Sequence, residues 1–195
     1  MIRAVGLGKR FGEKSVLDAL DLALERGGFA VVTGPNGSGK TTLLRLCAGL
    51  AAPTRGTLEV AVERGAVGYL GHDPLVYHDL TPLENLELYG RLYRVPERRE
   101  RIGMLLERFG LWSVRGERVG AFSRGMQQRL GLCRVLLHRP ELLLLDEPFN
   151  ALDAEGTGLL EGELAALRAE GRTLLVATHD PVRLEPLRSA RVALA

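Results

Sequence analysis

Cysteine is scarce in this sequence, and long runs of apolar residues are missing. The two cysteines, Cys47 and Cys133, lack the paired spacing of metal sites or disulfide frameworks, so we expect both to be small buried hydrophobic residues. No apolar run approaches the ~20 residues that cross a bilayer. The N-terminus alternates like a strand and lacks the apolar core of a secretion signal. These absences predict a cytoplasmic, soluble chain.

A large charge of one sign is also missing. The formal net charge is +2, which is too small to argue for a nucleic-acid partner, and we expect none. Hydrophobic residues make up 46% and charged residues 26% of the 195 positions. This composition and length are typical of one globular domain with a buried core.

The hydrophobic pattern predicts an α/β fold. Alternating apolar residues over 2–24, with a turn at 11–14, predict two strands, and 57–62 and 66–70 predict two more. Continuous apolar runs at 29–33, 142–145 and 173–178 are typical of buried parallel strands. Helical patterns cover 41–50, 154–169 and, with breaks near 95–96 and 116, the stretch 81–137. Residues 81–84 form a capping box with proline at the first helical position, so a helix begins there.

These elements predict a single domain over 1–195. Its core would comprise 1–72 and 138–195 and contain the parallel sheet, and a helical subdomain over 73–137 would be inserted into it.

Residues 34–42, GPNGSGKTT, have the spacing of a phosphate-binding loop between a predicted strand and a predicted helix. Its glycines let backbone N–H groups surround phosphates, and the helix N-terminus adds its dipole. Lys40 is expected at the β- and γ-phosphates, Thr41 on Mg²⁺ and Thr42 at the α-phosphate. The residues expected to bind ATP in this loop are Gly34, Pro35, Asn36, Gly37, Ser38, Gly39, Lys40, Thr41 and Thr42.

Two acidic residues follow the predicted strand at 142–145. Asp146 stands at the strand end, where it can hold Mg²⁺ directly or through water. Glu147 is one residue further and can orient or deprotonate an attacking water. Combined with the phosphate-binding loop, this pair predicts a nucleotide-hydrolysing site.

Residues 122–129, FSRGMQQR, resemble the signature motif of ATP-binding-cassette (ABC) ATPases. Residues 146–148, 150–153 and 178–180 resemble further motifs of that family in the same order, and Phe11 stands where the family stacks an aromatic ring on adenine. The resemblance covers essentially the whole chain. It implies a P-loop NTPase fold with a RecA-like parallel-sheet core, an N-terminal antiparallel β subdomain and an inserted α-helical subdomain.

The resemblance also implies that two copies close around two ATP molecules. Ser123 is a good helix N-cap, and Gly125 permits close approach to an anion held by the other copy. Asp153 can cap the following helix and would also face the partner. His179 would contact the γ-phosphate in a catalytic role. The family motif usually begins Leu-Ser-Gly-Gly-Gln, so residues 124 and 126, arginine and methionine here, depart from it.

His72 stands where most transporters of this family carry a glutamine that contacts Mg²⁺ or the attacking water. Histidine can still donate, accept or bind metal, so a catalytic and metal-binding role is expected. Gly71 and His72, with residues 80–86, resemble the ATP-binding subunits of haem exporters used in cytochrome c maturation. Asp73, where glutamine is common in that subfamily, departs from the pattern.

The function expected from these motifs is ATP hydrolysis that drives integral membrane permease subunits, with the chain peripheral on the inner face of the cell membrane. Haem export is one candidate, and another exporter of drug or lipid cargo is the alternative. A soluble ABC ATPase acting on ribosomes or DNA usually carries two cassettes or long coiled coils, which this sequence lacks. Glu147 argues against a binding subunit with little turnover.

Two surfaces have open interpretations. The region between His72 and Thr81, which includes Pro-Leu-Val-Tyr at 74–77, is either the docking surface for the membrane partner or ordinary packing of the helical subdomain. The basic run is either a solvated helix face or a contact with anionic lipid. The arginines of this run are Arg91, Arg94, Arg98, Arg99 and Arg101.

Overall fold

The computed structural model describes residues 1–194, which form two β-sheets and five α-helices. The strands are β1 (Ile2–Phe11), β2 (Lys14–Leu24), β3 (Phe29–Thr33), β4 (Arg55–Val60), β5 (Val67–Leu70), β6 (Leu142–Asp146), β7 (Thr173–Ala177) and β8 (Ala190–Ala193). The helices are α1 (Lys40–Cys47), α2 (Pro82–Leu92), α3 (Arg98–Arg108), α4 (Arg124–Leu136) and α5 (Ala154–Ala169). Within residues 1–194, every helix is too short or too polar to span a bilayer.

The larger sheet is parallel, with strand order β5-β6-β7-β3-β8. Every residue of β3, β6 and β7 is buried, as their continuous apolar sequences predict. Strand β8 was not predicted from the sequence, because this four-residue edge strand is only partly buried and leaves a weak hydrophobic pattern. The helix predicted over 41–50 was too long, because Ala48 caps α1 and Gly49 follows at φ 68°.

The smaller sheet is antiparallel, with order β2-β1-β4, and its β1–β2 hairpin turns where the sequence predicted, with Phe11 paired to Lys14. The strand predicted over 57–62 is β4. It begins two residues earlier, because Arg55 still pairs with Gly8 of β1.

The helices α2, α3 and α4 lie between β5 and β6 in the chain. The helical pattern predicted over 81–137 is interrupted between α3 and α4, where short 3-10 turns occupy 112–114 and 119–121. The predicted capping box of α2 is confirmed: Thr81 Oγ1 accepts from the Glu84 N–H (3.2 Å), and the Glu84 carboxylate accepts from the Thr81 N–H (2.8 Å).

The parallel sheet separates two hydrophobic clusters. Alternate strand residues such as Val31, Leu145 and Val176 pack against α2–α5 on one face. Their neighbours, such as Val32 and Ala177, pack on the other face with α1 and the smaller sheet. Both cysteines are buried, as predicted. This three-layer packing fixes the carboxyl ends of β3, β6 and β7 at one edge of the sheet.

Candidate nucleotide-binding site

A cleft of about 750 Å³ opens at the carboxyl edge of the parallel sheet, and we call it the nucleotide cleft. The loops that follow β3, β6 and β7 meet there, since parallel strands end at the same edge. Its lining residues are Lys14, Val16, Asn36, Gly37, Gly39, Lys40, Thr41, Thr42, His72, Asp146, Glu147, Asn150 and His179.

The phosphate-binding loop ends in the N-terminus of α1. Gly39 caps this helix at φ 99°, without a side-chain cap and without an acidic residue in the first turn. A Cβ at Gly39 would lie 2.7 Å from Leu17 Cδ2 and 2.9 Å from the Val16 carbonyl oxygen, so only glycine fits. The first N–H groups of a helix have no acceptor inside it. This end of α1 therefore presents free donors and a positive dipole to an anion.

The Lys40 side chain stabilises the conformation of the phosphate-binding loop by hydrogen bonds to its backbone. Its ammonium donates to the carbonyl oxygens of Gly34 (2.8 Å) and Pro35 (3.2 Å), and the residue is 8% exposed. Gly34, Pro35 and Ser38 do not line the cleft. The Ser38 side chain packs beneath the loop, where a Cβ on Gly34 would lie 2.5 Å from its hydroxyl oxygen.

Thr41 and Asp146 meet at the floor of the cleft. The Thr41 hydroxyl donates to Asp146 Oδ2 over 2.6 Å. Asp146 is 3% exposed, and its burial raises the pKa of the carboxyl group, opposed by the hydrogen bond from Thr41. A hydroxyl and a carboxylate are the hard oxygen donors that Mg²⁺ takes beside substrate phosphates. The pair therefore fits a magnesium ion.

Glu147 and His179 form a second pair across the cleft. Glu147 Oε2 lies 2.9 Å from His179 Nδ1 and accepts from the His179 backbone N–H over 3.2 Å. Glu147 has the left-handed φ of 49°, and its own N–H donates to the Ala177 carbonyl (2.8 Å). This uncommon backbone conformation directs the carboxylate towards His179. His72 lines the same cleft, close enough to oppose the rise in the pKa of Asp146.

The structure does not bring Phe11 into the cleft. Its ring is 56% exposed at the β1–β2 hairpin, and Lys9 Nζ lies 4.9 Å from the ring centroid. Lys14 and Val16 of β2 line the cleft instead, and sequence reasoning missed both. Lys14 is one of only three lysines in the chain, and this scarcity was the signal that could have identified it as a cleft residue. Asn150 was also missed as a lining residue, although it belongs to a recognised motif.

Ser123, Gly125 and Asp153 lie outside the cleft of their own chain. The Ser123 hydroxyl accepts from the Met126 N–H (3.2 Å) and caps α4, as predicted. Asp153 Oδ1 likewise accepts from the Gly156 N–H (2.8 Å) and caps α5, as predicted.

The start of α4 packs against the loop that follows β6. A Cβ on Gly125 would lie 2.6 Å from the Ala151 carbonyl oxygen. Gln128 donates from Nε2 to the Pro148 carbonyl oxygen over 3.1 Å. The signature segment is thus anchored to the loop that carries Glu147, and it forms a second surface, distinct from the nucleotide cleft.

The sequence is similar to those of known proteins. The ABC transporter family model matches residues 17–150. The chain is 40% identical to daunorubicin resistance ATP-binding protein DrrA3 of Streptomyces coeruleorubidus, over 89% of the chain and 58% of that protein. It is 37% identical to Nod factor export ATP-binding protein I of Ralstonia nicotianae, with the same coverages. The chain thus spans 58% of the length of these two relatives. It is 34% identical to ABC transporter ATP-binding protein NatA of Bacillus subtilis, over 92% of the chain and 79% of that protein.

Solved structures share the fold. An ATP-binding subunit of an ABC transporter superposes with a TM-score of 0.90 at 27% identity, over 99% of this chain and 85% of that one. The dimeric structure of the ABC transporter cassette MJ0796 superposes with a TM-score of 0.88 at 28% identity, over 100% and 94% of the two chains. These matches confirm the fold predicted from the sequence: a parallel-sheet P-loop core with an antiparallel sheet and helices. The chain belongs to the ABC transporter family, as an ATP-binding domain.

Proposed function

We propose that this chain binds and hydrolyses ATP as the nucleotide-binding subunit of a membrane exporter, and that it does so as a dimer. The observation that carries the proposal is the convergence of two pairs on one cleft: Thr41 with Asp146 on the floor, and Glu147 with His179 opposite. The uncapped N-terminus of α1 supplies the anion-binding element beside them.

In this proposal the phosphate-binding loop binds ATP. The N–H groups at the start of α1 bind the phosphates, and the Lys40 ammonium exchanges its carbonyl partners for phosphate oxygens. Thr41 and Asp146 would hold Mg²⁺, and His72 stands beside them as a further donor. A bound Mg²⁺ neutralises the charge that develops on the phosphate oxygens.

Glu147 is the proposed general base. Its Oε2 is held by the backbone N–H and ring nitrogen of His179, while its Oε1 has no hydrogen-bond partner within residues 1–194. Oε1 is therefore available to accept a proton from water. The His179 side chain is 68% exposed, so its ring can exchange the bond to Glu147 for a contact with the γ-phosphate of a bound nucleotide.

The second surface supports dimer formation. Ser123, Gly125 and Asp153 lie outside their own cleft, and the exposed start of α4 has no acidic residue in its first turn. Such a helix end suits a phosphate held by another molecule. The MJ0796 cassette, which shares this fold, has a dimeric structure, and this supports dimer formation.

Export through membrane permease subunits is proposed from the relatives. Two of them are named for drug resistance and for Nod factor export, which favours the drug or other exporter over the haem exporter. A position on the inner face of the cell membrane is part of the same proposal. A groove of about 450 Å³ beside α2 and α4 is our candidate docking surface. Its exposed apolar residues Leu50, Leu75 and Tyr93 suit an apolar segment of the permease. Haem export stays a prediction, supported by Gly71, His72 and residues 80–86 of the sequence.

Glu147→Gln tests the catalytic proposal. We expect turnover to fall by roughly 10²-fold or more, because the amide cannot accept the proton. The variant should accumulate an ATP-bound dimer, visible by small-angle scattering with ATP and Mg²⁺. Glu107→Gln, on the exposed side of α3, is the matched control and should behave as wild type. Near-normal hydrolysis in Glu147→Gln, or single particles at all protein concentrations, would contradict the proposal.

Co-purification tests the cargo class. The tagged chain, extracted from gently solubilised membranes, should carry its permease subunits, whose relatives identify the cargo class. A haem-exporter permease would favour the haem prediction over the drug or lipid alternative. Recovery without any membrane subunit, under conditions that preserve a known ABC complex, would count against the exporter proposal.

A further inference from the structure

A second cavity, of about 300 Å³, lies at the opposite edge of the parallel sheet, and we call it the arginine cavity. Arg139 precedes β6, and Arg172 directly precedes β7, so both lie at the amino ends of these strands. A five-residue strand is roughly 16 Å long, which separates the arginine cavity from the nucleotide cleft. The charged lining residues are Arg101, Arg108, Arg139, Arg172, Glu163 and Glu170.

Positive charge exceeds negative charge around the arginine cavity. Four arginines and two glutamates leave an excess of two positive charges. The buried carboxylate of Glu163 pairs with Arg108 Nη1 at 2.9 Å. Glu170 lies 3.7 Å from Arg172 in a more exposed pair, and such pairs are weak. Within residues 1–194, Arg101 and Arg139 have no carboxylate partner.

Arg101 is half-buried. Its Nη2 donates to the Leu136 carbonyl oxygen at the end of α4 (3.1 Å), but its Nε is buried with no hydrogen-bond partner within residues 1–194. Burial lowers the pKa of Arg101, and the neighbouring charges of Arg139 and Arg108 act in the same direction. A buried donor without an acceptor is destabilising, as are unpaired like charges held close together.

Arg139 is held in an uncommon backbone conformation. Its φ is 53°, and its carbonyl oxygen accepts from Arg172 Nη1 over 3.4 Å. Left-handed non-glycine residues persist where surrounding contacts hold them, and they cluster at functional sites. This conformation places Arg139 at the same cavity as Arg101, although the two charges repel.

We propose that the arginine cavity binds a phosphoryl anion, either inorganic phosphate or the phosphate group of a small phosphomonoester, between Arg101 and Arg139. Guanidinium groups bind phosphate oxygens through paired, charge-assisted hydrogen bonds. The anion neutralises the excess positive charge of the arginine cavity. It also offers acceptors to the guanidinium groups of Arg101 and Arg139, which have no carboxylate partner within residues 1–194. The volume suits a phosphoryl group with a few waters, since each water occupies about 30 Å³.

A bound anion would link parts of the chain that are far apart in sequence. Arg101 lies on α3, and Arg139 lies between α4 and β6. The anion therefore joins the helical segment to the core of the parallel sheet. Phosphate would stabilise this junction, independently of what the nucleotide cleft holds.

Calorimetric titration of the Lys40→Ala variant tests the site, because this change weakens phosphate binding at the nucleotide cleft. Inorganic phosphate and glycerol phosphate are titrated separately, with chloride at equal ionic strength as the control. We expect saturable binding of inorganic phosphate, a matching rise in Tm, and no saturable effect of chloride. Binding of glycerol phosphate as well identifies a site open to phosphomonoesters, and its failure to bind identifies a site closed around the free anion.

Two further changes in the Lys40→Ala background assign the site to its residues. Arg139→Gln alters an exposed residue, so the fold should persist, and we expect phosphate binding at least about tenfold weaker. Arg99→Gln makes the same charge change on α3, outside the arginine cavity, and should leave binding unchanged. Absence of saturable binding in the Lys40→Ala parent, or equal weakening by the two changes, would overturn the proposal.

Discussion

The N-termini of α1 and α4 are both helix ends that suit an anion, but their surroundings differ. Gly39 is the N-cap residue of α1 and provides no side-chain cap, and the buried Lys40 side chain lies beneath the loop. Ser123 is the N-cap residue of α4, its hydroxyl accepts from the Met126 N–H, and the start of α4 packs on the carbonyl oxygen of Ala151. The first lies in the nucleotide cleft of its own chain, and the second lies outside it.

This difference suggests that one chain carries two unlike halves of a site. The start of α1 has free donors, a cation and a magnesium-binding pair around it, so it can hold a nucleotide alone. The start of α4 has a capped serine and a glycine, and within residues 1–194 the magnesium-binding pair lies in the nucleotide cleft instead, so we expect this helix end to complete a site held by another copy. Five predictions test this contrast, ordered from the largest effect to the smallest.

A variant damaged at the start of α1 and a variant damaged at the start of α4 should restore part of the ATPase activity when they are mixed in equal amounts. Lys40→Ala removes the cation at α1, and Ser123→Arg obstructs the start of α4, so each variant alone should lose roughly 10²-fold or more of its hydrolysis. Ser123→Arg should still bind nucleotide as a monomer. In a mixture of the two, half of the dimers pair unlike subunits and keep one intact site, so ATPase assays should recover at most about a quarter of wild-type activity. No recovery beyond the sum of the separate variants would refute the division into two halves.

Asp146→Asn should separate activity from stability at the α1 half. Hydrolysis should be almost lost, because the amide is a poor Mg²⁺ ligand. The nucleotide-free Tm should rise by a few degrees, because burial of the charged carboxylate is removed.

The Tm difference between Asp146→Asn and wild type should change with pH in one direction only. Because the pKa of Asp146 is raised in the folded chain, its charge is destabilising above that pKa, and the penalty disappears as the pH falls through it. Differential scanning calorimetry should therefore show a Tm gap over wild type that narrows on acidification. A gap that widens would contradict the burial argument.

Gly125→Ala tests the packing of the α4 half. The added Cβ would lie 2.6 Å from a backbone oxygen, so we expect the free energy of unfolding to fall by about 1–3 kcal/mol and ATP-dependent dimerisation to weaken. Gly158→Ala is the control, since a Cβ there meets nothing within 4 Å on α5. It should be neutral or stabilising by up to about 1 kcal/mol in denaturant titrations. Equal effects of the two changes would show that the contact with Ala151 is unimportant.

Two helix caps provide the finest comparison. Thr81 on α2 and Ser123 on α4 each accept one backbone N–H over 3.2 Å. Their alanine variants should each lose about 1 kcal/mol of unfolding free energy. Only Ser123→Ala should also weaken ATP-dependent dimerisation, measured by analytical ultracentrifugation. The same dimerisation defect in Thr81→Ala would mean that stability, and not the position of Ser123, controls assembly.

Local sequence predicted much of the fold and half of the site. The buried strands β3, β6 and β7 were identifiable because every residue in them is buried, which leaves an uninterrupted apolar run. The phosphate-binding loop and the two helix caps were identifiable because their hydrogen bonds join residues close in sequence. Strand β8 escaped because an edge strand leaves a weaker pattern.

Residues that converge from distant segments were harder to assign. Lys14 and Val16 reach the cleft only because the β1–β2 hairpin folds over the phosphate-binding loop. The basic run of α2 and α3 looked like one feature, but the structure divides it. Arg91 and Arg98 pair with Glu87, while Arg101 enters the arginine cavity beside residues some forty to seventy positions later in the chain.

The sequence by itself determined the loop, the caps and the fully buried strands, because short-range hydrogen bonding and burial impose fixed spacings on the residues involved. Tertiary structure alone decided the bond between Thr41 and Asp146, and it alone brought Arg101 together with Arg139. Such contacts join side chains that are distant in sequence, and sheet order and layer packing set their separations. No local pattern records those distances.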